Sequence, residues 1–274
     1  MELTLLWTIA QRELREALRN KWLWFYTAGF TALAITLSQA GVASAGYAGL
    51  GGFGRTAASL INALLLFVPL IGLSVGAHTL AADRERGTLV YLMAQPVNRA
   101  EVFFGKALGA ALAVIAALGL GFGLAGLGLA STGGNGSTYL TLAAYTLMLA
   151  LASLGLGFII SALTRKGSTA SGAALVVWLA LVFLGDLGLI GATLALRPTP
   201  AALLAMLLAN PLQAFKLAAI YGLRAALDTL GPVGQFAVYR FGEWLPLLLV
   251  GLLAAWIVAS FGLAFAIFRR KGDL

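Results

Sequence analysis

The chain contains no cysteine, one histidine, ten acids and four methionines among 274 residues. Without cysteine there are no disulfides, thiolate metal sites or thiol catalysis. Soft Cu(I) prefers thiolate and thioether ligands, and Met1, Met93, Met148 and Met206 are too scattered to form a ladder across a bilayer, so no copper-conducting path and no metal site is expected in this chain. A lone His78 cannot build a persuasive Ser/His/Asp set, and a histidine near the end of an apolar run is more often a hydrogen-bonded packing residue. Gly105-Lys106 is followed by Ala107 without the glycine spacing of a phosphate-binding loop, so ATP binding is not expected here and any energy must come from elsewhere. No catalytic residue is assigned.

Charge is scarce too. Only 10% of residues are charged and 61% are hydrophobic, with a mean hydropathy of +0.94. Soluble domains carry charge on about a quarter of their residues. This composition belongs to a membrane protein, and with about 20 apolar residues per crossing the chain holds several spans and no soluble catalytic domain. The net charge of +8 sits at the flanks of apolar runs, where cations set topology and meet lipid headgroups; nucleic acid is not indicated. The charged Arg12 to Lys21 stretch precedes a full-length span, which is not the order of a signal peptide, so no cleavage is expected.

What is present divides as follows. Residues 3–20 form an amphipathic helix, with Leu3, Leu6, Trp7, Ala10, Leu14, Ala17 and Leu18 on one face and Thr4, Thr8, Gln11, Arg12, Arg15 and Arg19 on the other. Such a helix lies in the membrane surface, as a peripheral anchor or as the elbow of a transporter. The first span, about Lys21 to Val42, opens with Trp22, Trp24, Phe25 and Tyr26, aromatics suited to headgroup depth, and Ser44 to Gly54 is a glycine-rich loop. Further spans are expected over about 57–81, 102–130, 139–163, 169–196 and 244–268, with a turn at 131–138. The glycines of the third span suit close helix approach. Arg197 to Glu243, mixed in polarity and containing Pro198, Pro200, Pro211 and Pro232, is expected to be an outer subdomain of short helices, the one surface on its side large enough to dock a partner.

Six spans put both ends on one side. Thirteen of the eighteen cations fall in the N-terminal segment, residues 82–106, the Arg165-Lys166 loop and the C-terminus, so the positive-inside rule makes both termini cytoplasmic. Asp186 is the one acid well inside an apolar run. An intramembrane carboxylate costs roughly 2.5–3.5 kcal/mol on insertion scales and faces a partner or water; with no relay chain around it, a packing or interface role is favoured over proton transfer.

Residues 82–106 connect two spans with far more chain than a turn needs. Asp83 to Gly87 alternates charges, and Thr88 begins a short apolar-faced helix that Pro96 ends. A topology anchor explains the arginines but not twenty structured residues. A helix parallel to the membrane, exposing its charges to a cytosolic partner, explains both.

Glu85, Gly87-Thr88-Leu89, Pro96, Arg99, Gly105-Lys106 and Gly109 together resemble the coupling segment of ABC-2 type permeases. The resemblance extends over the chain through the N-terminal helix and six spans, and favours the elbow reading of Trp7, Arg12, Arg15 and Arg19. Asn210-Pro211-Leu212-Gln213-Ala214-Phe215-Lys216 is similar to a stretch those permeases carry before the last span. Within the family the chain is most similar to permeases of machinery that supports copper-site assembly in nitrous-oxide reductase.

The resemblance implies one all-α transmembrane domain over residues 1–274 in a bacterial inner membrane, working as a homodimer and not itself an enzyme. It implies a cytosolic ATPase of the NosF kind, which holds ATP and Mg, a periplasmic partner of the NosD kind, and a copper lipoprotein as a further candidate partner. Asp83, Arg84, Glu85, Arg86, Gly87, Thr88, Leu89, Pro96 and Arg99 would couple to the ATPase, and Asn210, Pro211, Phe215 and Lys216 would dock the periplasmic partner. Arg84 and Arg86 stand where relatives commonly carry an acid or a glycine. An exporter of lipid or another hydrophobic compound and a stand-alone carrier are the alternatives; the absence of inverted-repeat signals and catalytic constellations weighs against the carrier.

Overall fold

The computed structural model describes residues 2–21, 23–32, 35–36, 50–130, 136–196, 198–222 and 231–271. Described elements are α1 (Leu3–Leu18), a helical stretch over 23–32 termed α2, α3 (Leu50–Glu85), α4 (Thr88–Met93), α5 (Arg99–Ala130), α6 (Gly136–Leu163), α7 (Gly167–Leu196), α8 (Pro200–Leu208), α9 (Pro211–Gly222), α10 (Gly231–Phe241), a 3-10 turn at Gly242–Trp244, and α11 (Leu245–Lys271). No strand occurs among these residues. A helix satisfies its own backbone groups, which the hydrocarbon cannot. Five stretches are long and apolar enough to cross a bilayer, and the α8–α9 pair, bent by 109°, makes a sixth when taken as one broken span. Trp22, most of the first span beyond residue 36, Arg197, Arg224, Asp228 and the 131–135 part of the expected turn lie outside the described residues. The 44–54 loop is corrected at its end, because α3 is already helical from Leu50.

Small residues set the packing. In lipid, helices gain little from burying apolar surface against each other, so close backbone approach and interhelical hydrogen bonds take over. A Cβ on Gly72 of α3 would lie 2.6 Å from the Ala150 carbonyl oxygen of α6, and one on Gly157 would lie 2.6 Å from that of Leu73. The Ser161 hydroxyl of α6 accepts from the Leu80 and Ala81 amides at 2.8 Å each. Helix α6 meets α11 on another side, where Phe103 of α5 sits at the centre of a ring cluster with Phe158, Phe265 and Phe268, centroids 5.3–5.6 Å apart. Of the α5 glycines, Gly105, Gly109 and Gly121 take close neighbours while Gly119 and Gly123 face open space.

Helix α1 docks on α5 through a face different from the expected one. Ile9, Ala10 and Glu13 are buried, whereas Leu3 and Trp7 are 81% and 50% exposed. At 100° per residue the helix thus has three faces: one against α5, an apolar flank with Leu3 and Trp7 turned outward, and a polar flank with Gln11, Arg12, Arg15 and Arg19. A Cβ on Gly105 would lie 2.8 Å from the Ile9 Cβ, and one on Gly109 2.6 Å from the Glu13 Cβ. Beyond α1, Trp24 donates to the Leu18 carbonyl at 2.6 Å while Phe25 stays 68% exposed.

The 197–243 segment contains short helices but is not a detached outer subdomain. Pro211 to Leu217, apart from half-buried Lys216, and on through Ile220 are buried, with Phe215 fully enclosed. Helix α9 packs among α3, α6, α7 and α11. The expected docking surface at Asn210, Pro211, Phe215 and Lys216 is therefore corrected: apolar residues there fill the bundle rather than face a partner.

Gly76→Val tests the packing rule. Its side chain would enter the α6 backbone at Gly157 and Phe158, where even a Cβ lies 3.0 Å away, so a loss of about 3 kcal/mol is expected, read as a lower thermal midpoint of the purified chain in detergent.

Candidate functional site

The α3–α5 connection is built differently from a free charged loop. Asp83, Arg84 and Glu85 are the last turn of α3, which ends because Gly87 adopts φ 73° with no atom within 4 Å of where a Cβ would stand. Glycine takes this left-handed conformation without the cost of about 1–2 kcal/mol borne by other residues. Gly87 then caps α4. After Pro96, Asn98 caps α5 reciprocally with Glu101: the Asn98 side chain accepts from the Ala100 amide at 3.3 Å and Glu101 accepts from the Asn98 amide at 3.0 Å. Glu101 also accepts from the Glu2 amide at 2.8 Å, which ties the start of α1 to the start of α5.

Under α4 lies a buried ion cluster. Lys106 of α5 is 3% exposed and pairs with Asp83 of α3 at 2.7 Å and with Glu13 of α1. Asp83, 1% exposed, also accepts from Arg86 at 2.9 Å and from the Thr88 hydroxyl at 3.0 Å. Arg86 reaches on to Glu16 at 3.9 Å, which pairs with Arg12 at 3.2 Å. Burial holds the Glu13 carboxyl above its ordinary range, against the pull of Lys106. Helices α1 and α3 thus meet α5 at one ammonium, and α4 joins them through the bond from Thr88 to Asp83. Glu13 and Lys106 had no assigned role in the sequence; their signal was a charged residue on an otherwise apolar docking face and a lysine one turn inside a span.

Arg84 and Glu85 face the other way, onto the α6–α7 connection. Arg84 donates to the carbonyls of Ser161 and Thr164 at 2.6 and 2.8 Å, at the C-terminus of α6. Glu85 accepts from the Gly167 amide at 2.7 Å, at the N-terminus of α7. A cation on a helix C-terminus and a carboxylate on an N-terminus are the favourable pairings with the helix dipoles. About two turns earlier on α3, His78 contacts the Ser171 hydroxyl at 2.6 Å.

The expectation that this segment exposes its charges is therefore corrected for Asp83 and Arg84, which are turned inward, while Glu85 and Arg86 remain exposed at the rim. Leu89 is buried as the foot of α4. Its outward face is apolar, with Val90 64% and Tyr91 70% exposed. Pro96 is exposed, and Arg99 donates to the Arg269 carbonyl of α11 at 3.1 Å.

A second polar group lies on α7. Asp186 accepts from Gln213 and Lys216 of α9 at 3.0 Å each, while the Asn210 amide donates to the Leu181 carbonyl at 2.7 Å. Gly185 makes room, since a Cβ there would meet the Gln213 and Asn210 side chains at 2.5 and 2.8 Å. The Asn210 to Lys216 stretch is thus a clasp between α7 and α9.

The model of the ABC-2 family of transporter proteins matches residues 7–272. The chain belongs to that family. A probable ABC transporter permease protein NosY from Pseudomonas aeruginosa is 31% identical over 276 residues, covering 97% of this permease and 98% of the relative. One of the same name from Stutzerimonas stutzeri is 31% identical over 277 residues with the same coverage. In this permease the Glu85, Gly87-Thr88-Leu89 and Gly105-Lys106 motifs meet at one place: Gly87 lets α4 turn back, Leu89 seats it, Gly105 admits α1 and Lys106 binds the group together.

Replacing Lys106 by Met leaves Asp83 and Glu13 buried without their shared counter-charge, at an expected cost of about 3–5 kcal/mol. Adding Asp83→Asn and Glu13→Gln to Lys106→Met is expected to recover more than half of that loss, measured as the thermal midpoint in detergent.

Proposed function

We propose that this permease converts ATP binding and hydrolysis on a separate, NosF-like cytosolic ATPase, the subunit that carries ATP and Mg, into movement across a bacterial inner membrane. As a homodimer with both termini cytoplasmic, it would serve a NosD-like periplasmic protein in copper-site maturation of nitrous-oxide reductase. The names of the two relatives support the system. The observation that carries the mechanism is the exposed Val90 and Tyr91 face of α4, mounted on the buried Lys106 cluster.

Force on a helix seated in a flexible loop would be lost as loop motion. Here α4 is one left-handed residue away from α3, and Asp83 holds the Thr88 hydroxyl at 3.0 Å. Displacement of α4 therefore moves the end of α3. Arg84 and Glu85 pass it to both sides of the α6–α7 connection, and α7 holds α9 through Asp186. The output is a shift of α7 and α9 relative to α5 and α11.

Two experiments test the reading. Tyr91→Ala and Val90→Asp, at exposed positions, are expected to leave the thermal midpoint unchanged but lower co-purification of the ATPase encoded beside the permease by at least about tenfold; normal co-purification overturns the α4 contact. Spin labels on α7 and α11 of the assembled transporter should change separation when a non-hydrolysable nucleotide locks the ATPase, and constant distances overturn the transmission route.

A further inference from the structure

A cavity of about 440 Å³ opens between the C-terminal half of α1, the last turns of α3 and the first turn of α7. It stands where one span ends at Glu85 and another starts at Gly167, beside a helix whose Leu3 and Trp7 flank faces outward. That is headgroup depth.

The lining carries both signs of charge, with Glu13, Glu16 and Glu85 beside Arg19 and Arg86. Gly167 leaves open the space a side chain would take, and the missing Cβ position lies 3.2 Å from the Glu85 carboxylate and 3.4 Å from His78 Nδ1. The Ser171 hydroxyl approaches both the Gly167 carbonyl at 3.0 Å and His78 Nε2 at 2.6 Å. One hydroxyl proton satisfies both contacts only when the imidazole donates from Nε2, which leaves Nδ1 as an acceptor beside the carboxylate. Two adjoining acceptors suit a primary ammonium. The exposed guanidinium of Arg19 and the exposed Ser168 also line the cavity. These groups suit a phosphodiester. Ala17 and Val75 line the apolar part of the cavity.

We propose that this cavity binds the headgroup of an aminophospholipid, with the ammonium at Glu85 and His78 and the phosphodiester at Arg19 and Ser168. The site separates three headgroups by chemistry. Phosphatidylethanolamine supplies both charges and N–H donors, phosphatidylcholine cannot donate from its quaternary nitrogen, and phosphatidylglycerol has no cation. A bound lipid here would brace α1 against α3 and α7, next to the Lys106 cluster.

The test is native mass spectrometry of the purified permease released from nanodiscs containing equal parts of the three lipids. Phosphatidylethanolamine is expected to be retained at least about tenfold over the other two, the size of a lost charge-assisted hydrogen bond. Gly167→Leu, which fills the ammonium space, should bring the ratio close to one, whereas Arg19→Gln, at an exposed position, removes a phosphodiester contact common to the three lipids and should lower total lipid retention while leaving the ratio in place. Equal retention of the three lipids by the unaltered permease overturns the proposal, as does an undiminished preference in the folded Gly167→Leu variant or undiminished total retention in the folded Arg19→Gln variant.

Discussion

One lysine ammonium, placed about two turns inside the start of α5, is the point on which the charged end of this molecule depends. Lys106 is buried with Asp83 and Glu13 around it, and each of those carboxylates belongs to a different helix. Taking three ionisable groups out of water is costly, and the arrangement holds only because the geometry is close and the remaining valences are met by Arg86 and Thr88. Removing Lys106 leaves two carboxylates in a low-dielectric interior without their shared counter-charge. These contacts tie α1, α3, α4 and α5 together at one end.

From this cluster the connections run outward by helix ends rather than by side-chain chains through the core. Arg84 and Glu85 are adjacent in sequence and opposite in charge, and they meet the two ends of one interhelical turn with the matching sign. A short turn between two long helices is otherwise a weak point, since it carries the orphan carbonyls of one helix and the orphan amides of the next. Here those groups are the attachment site. The same economy recurs at the start of α5, where Glu101 serves both its own helix and the first amide of α1.

The outward face of α4 is apolar at its centre, with Val90 and Tyr91 exposed, and has the exposed Glu85 and Arg86 at its rim. At the far part of α7, Asp186 shows why an intramembrane acid need not conduct anything. Its partners Gln213 and Lys216 are on the short helix packed beside it, and the pair keeps a sharply bent helical segment seated against a span.

Membrane insertion, helical class, the approximate limits of the spans and the existence of α4 were set by local features: apolar run length, the Gly87 break, Pro96, and the cation bias at span ends. These depend on residues near one another in the chain, and the bilayer enforces them one helix at a time. The family motif was equally legible, because it is contiguous. The partners of its charges were not. Asp83 and Lys106 are 23 residues apart on different helices, and Glu13 comes from a third, so nothing in their spacing indicates that they share an interior.

The inward turn of Asp83, the three-faced α1 and the burial of α9 were decided by tertiary packing. Glycines at 72, 76, 105, 109 and 157 let backbones approach so closely that adjacent polar residues lost their access to water and had to find each other. A mixed-polarity segment such as Asn210 to Lys216 reads as exposed in one dimension because its compensating charge, Asp186, lies on another helix. The amino-acid sequence by itself thus determined which stretches enter the membrane and where the charged connection between two of them lies. Only the packed bundle decided which of those charges stay exposed and which are buried between helices, because desolvation depends on what surrounds a group and not on its neighbours along the chain.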